Sequence, residues 1–141
     1  MVVLDTDHVS LLEWTNNPDR RRLRARLDEL RPDEVATTII SYEEQSRGWL
    51  AYVAKTRSMA EQIRAYGKLK AHLDTYLSIM VLDFNDSAAV EYQRLREARL
   101  RVGTMDLKIA AIVIIHDATL LTRNLADFRK VPNLKFEDWT T

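Results

Sequence analysis

Acidic side chains in this chain stand just after short apolar runs. Asp5 follows Val2-Val3-Leu4, with Asp7 two residues on. Glu44 comes soon after Val-Ala-Thr-Thr-Ile-Ile at residues 35–40. Asp106 lies in the turn Gly103-Thr104-Met105-Asp106, and Asn124 and Asp127 follow Thr119-Leu120-Leu121-Thr122. A carboxylate beside a buried strand is costly unless its charge is compensated. Several carboxylates at close range oppose each other's ionisation unless a cation joins them. An all-oxygen set suits Mg2+ or Mn2+. The chain has no cysteine, which excludes a disulfide scaffold, a zinc–thiolate site and a thiol nucleophile. His8, His72 and His116 are far apart and lack ligand spacing, so they read as structural or surface groups.

Each acid also has a plain structural role open to it. Asp7 can cap a helix. Ser41 and Glu44 have the spacing of a capping box, as do Asn124 and Asp127. Asp106 in a first helical turn interacts favourably with the helix dipole. Capping explains each acid singly. It does not explain why three or four of them reach one place.

The elements that must bring them there alternate between strand and helix. Val2–Leu4, residues 35–40, Ile79–Leu82 and Thr119–Thr122 read as strands, and Leu134–Phe136 as a last edge strand. A helix carrying Val9, Leu11, Leu12 and Trp14 follows the first strand. Asn16-Asn17-Pro18-Asp19 breaks the chain, and Arg20–Leu30 is a strongly charged, amphipathic surface helix whose arginines read as a solvated face before an RNA patch. Two helices, the second spanning Arg57–Leu77, form a hairpin outside the sheet. Ala88–Leu100 is helical with Val90, Leu95 and Leu100 inward, after an Asp86 cap. The apolar Met105–His116 helix is buried against the sheet. The order predicts an α/β fold with a mainly parallel sheet of four to five strands in one domain, residues 1–141. Right-handed crossovers would put the strands' carboxyl ends, and the acids, on one edge.

With 21 basic and 21 acidic residues the formal net charge is zero, so attraction to a polyanion must come from a local patch. The composition, 46% hydrophobic and 30% charged, fits a folded globular protein rather than disorder. Without a signal-peptide pattern or an apolar run long enough for a bilayer, a cytoplasmic location and no membrane partner are expected.

The stretches Leu4-Asp5-Thr6-Asp7, residues 40–48 from Ile40 to Gly48, residues 103–111 from Gly103 to Ala111, and residues 121–128 from Leu121 to Phe128 resemble, in order and spacing, the PIN-domain ribonucleases. The likeness is strongest to the VapC toxins of toxin–antitoxin pairs and covers the whole chain. It implies a PIN-like fold and a Mg2+-dependent endoribonuclease, with Mn2+ able to substitute. Asp5, Glu44 and Asp106 match the family's acidic positions, Glu44 being chosen over Glu43 because it stands four before Gly48. The fourth acidic position falls at Asn124 or is supplied by Asp127, and Asp7 replaces the more usual Asn. Thr6, Thr104 and Thr122 can bond to carboxylates, water or phosphate, and Lys108, Arg123 and Arg101 are candidate phosphate contacts. The resemblance also implies an RNA substrate, a VapB-like antitoxin and a homodimer. The hairpin from Glu43 to Leu77 carries more apolar surface than a small sheet covers, with Trp49 and Tyr52 as expected antitoxin anchors. Two rivals stand beside this reading. Asp5-Thr6-Asp7 has the Asp-x-Asp form of haloacid-dehalogenase-type phosphatases, but the later motifs of that chemistry are missing. Asn124 would also suit a catalytically inactive PIN-like module that binds RNA or protein.

Overall fold

The computed structural model describes residues 1–13 and 17–141, so the expectations at Trp14 and Asn16 lie outside the described residues. Five strands, Val2–Leu4 (β1), Val35–Thr38 (β2), Met80–Leu82 (β3), Thr119–Leu121 (β4) and Lys135–Glu137 (β5), align in the order β3-β2-β1-β4-β5 with every neighbouring pair parallel. Parallel pairing needs a crossover between strands. Among the described residues seven α-helices supply or flank these: Thr6–Leu12 (α1), Pro18–Leu27 (α2), Ile39–Lys55 (α3), Met59–Leu77 (α4), Asp86–Glu97 (α5), Thr104–Ile115 (α6) and Leu125–Phe128 (α7). A 3-10 turn at Pro32–Glu34 leads into β2.

Alternation along the strands feeds two cores. Val3 and Leu120 pack with α5, α6 and Phe128, whereas Val2, Leu4 and Leu121 pack with α1, α2, Tyr76 and Trp139. This is why β1 and β4 read as unbroken apolar runs: both faces are covered. Leu4 and Leu121 are fully buried, and burial of each contributes about 2 kcal/mol.

Several boundaries differ from the sequence expectation. β2 ends at Thr38, not Ile40, and α3 begins at Ile39. The register explains it: Thr38 pairs with Leu82, the last residue of β3, and β1 has turned into its helix after Leu4, so no strand remains for Ile39 to pair with. The cap is therefore Thr38, whose Oγ1 accepts from the Ser41 backbone at 3.1 Å. The Ser41–Glu44 capping box is not formed. α2 starts at Pro18 under an Asn17 cap and stops at Leu27. Asn85, not Asp86, caps α5, and Val90 is 71% exposed rather than inward. Asp5, not Asp7, caps α1.

α3 and α4 form the expected hairpin. Tyr42 stacks on His72 with ring centroids 5.2 Å apart, and Ser46 Oγ lies 2.7 Å from His72 Nε2. Leu50, Tyr52, Met59, Ile63 and Tyr66 remain exposed. The half-buried Trp49 lies against Tyr52, centroids 6.0 Å apart.

From β1 the chain first builds outward to β2 and β3, then crosses to β4 and β5 on the other side. The connection reverses between β1 and β4. At such a reversal the loops beyond the carboxyl ends part and leave a crevice.

Candidate active site

Asp5 lies at that reversal, where β1 turns into α1. Its Oδ1 accepts the His8 backbone N–H at 3.0 Å, so the same carboxylate caps the helix and borders the crevice. Asp5 is buried, and Asp7, two residues along, is exposed. Glu44 arrives from β2's side in the second turn of α3. Released from any capping role, its Oε1 is 3.2 Å from the Thr6 hydroxyl, which also lies 3.2 Å from Ser41 Oγ. Asp106 comes from the first turn of α6. Asn124, beyond β4, donates from Nδ2 to Asp106 Oδ2 at 3.4 Å and to Asp127 Oδ2 at 3.1 Å. Its own backbone N–H goes to Thr122 Oγ1 at 2.9 Å, so Asn124 and Asp127 do not form the expected capping box.

Asp5, Thr6, Asp7, Glu44, Asp106, Ile109 and Asn124 line one cavity of about 160 Å3. Four of the seven are acidic and none is basic. A larger apolar hollow of about 420 Å3 lies on the α3–α4 hairpin and contains none of these acids. The remaining candidate residues are placed around the rim or away from it. Asp127 pairs with Lys130 at 3.4 Å. Thr104 opens α6 at the surface, and Thr122 is buried. Lys108 Nζ lies over the rings of Phe84 and Tyr92, 5.8 and 5.7 Å from their centroids. Arg123 pairs with Asp19 at 2.5 Å. Arg101 is exposed, with its backbone in the left-handed region at φ 58°.

The crowding shows in the acidities. Partial burial pushes the Glu44 carboxyl above its usual range, and Asp106, Asp5 and Asp7 add to the rise against the opposing Thr6 hydrogen bond. Asp106 is raised likewise, by burial first and then by Asp5, Asp127 and Asp7, opposed by Asn124. Asp127, partly exposed, is held low by Asn124 and Lys130. Among the described residues no three Asp, Glu or His side chains already close around an ion-sized point. Uncompensated carboxylates repel one another, and the same repulsion adds to the rise in their pKa. The donor set, carboxylate oxygens with a threonine hydroxyl and an asparagine amide beside them, fits a hard divalent cation.

Some of the supporting residues carry no local signal in sequence. Gln45 donates from Nε2 to the Thr6 carbonyl at 3.3 Å and to Ser10 Oγ at 2.5 Å, while Tyr76 donates to its Oε1 at 2.6 Å. This ties α4 to the turn that carries Thr6. His8 had a weak signal: three residues after a capping Asp, a side chain returns to the cap.

A family model described as PIN domain matches residues 2–134. Ribonuclease VapC2 of Rickettsia felis is 36% identical over 75 residues, which span 50% of this chain and 56% of that protein. Ribonuclease VapC1 of Haemophilus influenzae is 26% identical over 143 residues, covering 98% of this chain and 97% of that one. Among solved structures, VapBC2 from Rickettsia felis bound to a DNA fragment from its promoter superposes with a TM-score of 0.73 at 25% identity, covering 99% of both chains.

Proposed function

The chain belongs to the PIN-domain family, and we propose that it is a metal-dependent endoribonuclease acting as the toxin of a VapBC-type pair. The observation that carries this reading is the convergence of Asp5, Glu44 and Asp106, from three separate elements, on one cavity without a basic side chain. The relatives named as VapC ribonucleases support the activity, and the likeness to a VapBC complex supports a VapB-like partner.

Asp5 and Asp106 would hold Mg2+, or Mn2+ in its place. When bound, such a cation lowers the pKa of water and offsets charge on the scissile phosphate. Asn124 keeps Asp106 turned into the cavity through its amide. Glu44, steadied by Thr6 and with its proton affinity raised, would take a proton from an attacking water. With Asn124 rather than an acid next to Asp106, Asp127 is the side chain left to help hold a second cation. No side chain serves as a covalent nucleophile. RNA is the substrate class, and the exposed hairpin is the surface for the antitoxin, which would cover the apolar side chains around Trp49 and Tyr52. A homodimer is part of this reading.

Mapping the ends of RNA fragments made by the purified chain in Mg2+ tests the chemistry. Attack by water leaves no 2′,3′-cyclic phosphate. Cyclic ends would mean attack by the RNA's own 2′-hydroxyl and would overturn the mechanism. Binding of RNA without any cleavage would favour an inactive PIN-like module.

A further inference from the structure

His8 is completely buried between the acidic cavity and the segment that follows β5. Its Nδ1 lies 3.5 Å from Asp5 Oδ1. Its Nε2 lies 3.4 Å from the backbone nitrogen of Trp139, which donates to it. A backbone N–H can only donate, so Nε2 must be the unprotonated, accepting nitrogen. The ring proton then sits on Nδ1, a buried nitrogen that has no hydrogen-bond partner and lies 3.5 Å from Asp5 Oδ1. Asp138 Oδ1 does not compete for it. That oxygen is 3.7 Å from Nε2 and is already taken by Thr140, through its backbone N–H at 2.9 Å and its hydroxyl at 2.6 Å.

We propose that His8 is a positioning residue: its Nδ1–H steadies the Asp5 carboxylate, and the Trp139 backbone N–H fixes the tautomer that lets it do so. Both observed contacts fall on Oδ1, since the His8 backbone N–H also goes there. That leaves Oδ2 as the oxygen to face a ligand. The segment supplying the Trp139 amide is firmly held. Arg26 lies over the Trp139 ring, 4.2 Å from its centroid, Arg22 donates to the Thr140 carbonyl, and the Glu137 carbonyl accepts from Thr122 N–H at 2.9 Å. Residues 137–140 therefore reach the first carboxylate of the cavity through one imidazole. A side chain that orients a metal-binding group commonly changes metal affinity by about 10- to 100-fold when it is lost.

Long-range 1H–15N NMR of the wild-type imidazole reads the tautomer without metal. The Nδ1–H tautomer is expected, and an Nε2–H tautomer would overturn the proposal. The consequence for the cation rests on the function proposed above and is tested separately, by titrating Mn2+ into His8→Asn and His8→Gln. Asparagine places an amide nitrogen where Nδ1 stands, and glutamine places one where Nε2 stands. His8→Asn should stay close to wild type, and His8→Gln should bind about tenfold or more weakly. Equal affinities in the two variants would overturn the positioning role. Failure of the wild type itself to bind Mn2+ would overturn the proposed function while leaving the tautomer result to stand.

Discussion

Burial first, and then the neighbouring carboxylates, disfavour the charged forms of Asp106 and Glu44, and that strain has a measurable sign. Both carboxyls hold their proton more tightly in the fold than in the unfolded chain. A raised folded-state pKa means stability that is present below the unfolded value and is lost as pH rises through the folded one. In EDTA, Asp106→Asn and Glu44→Gln should therefore melt at or above the wild-type temperature at neutral pH. The gap should close as pH falls through the carboxylate range, because the wild-type groups then become neutral as well. Calorimetry from pH 4 to 7 checks this, and a substitution that destabilises equally at both ends would show that the side chain matters for packing rather than charge. At this scale the sequence was informative where chemistry is sparse. With no cysteine and no paired histidines, acids were the only candidate donors for a cation. It did not show which of Asn124 and Asp127 would reach Asp106. Three residues apart on a short turn, both can point the same way, and only the fold puts the Asn124 amide between the other two carboxylates.

The elements were legible where burial on both faces dictates composition. β1 and β4 carry little but apolar side chains, and the apolar α6 is packed into the core as its composition implies. They were less legible where tertiary pairing decides. Ile39 and Ile40 continue a β-favouring run, yet the sheet offers nothing beyond Thr38 to pair with, so the same residues open a helix. Val90 has the spacing of an inward residue, but the packed face of α5 runs through Ala88 and Leu95. The hairpin kept its expected exposed apolar surface, and it yields a prediction of its own. Trp49→Ala combined with Tyr52→Ala should leave RNA cleavage unchanged while weakening neutralisation by the proposed VapB-like antitoxin. Pull-down with that antitoxin reads the effect; binding as tight as wild type would show that the antitoxin rests elsewhere.

For the molecule as a whole, the sheet order places the cavity at the reversal between β1 and β4, and the acids converge there from both halves of the chain. Among the described residues no helix is long and apolar enough to cross a membrane. A cation that binds the folded cluster and not the unfolded chain stabilises the entire fold by mass action. The gain is about 2.7 kcal/mol at a hundredfold excess over the dissociation constant. Mg2+ or Mn2+ should accordingly raise the melting temperature, and the rise should shrink in Asp106→Asn. A melting curve that ignores millimolar metal would count against cation binding in the cavity. The most direct measurement is the rate at which the purified chain cuts RNA in Mg2+, set beside the same protein in EDTA and beside Asp5→Asn in Mg2+. Cleavage by the wild type with Mg2+ alone, and its loss in both other arms with the fold intact, is the result this account predicts; cutting at a near wild-type rate by Asp5→Asn, or undiminished in EDTA, would contradict it.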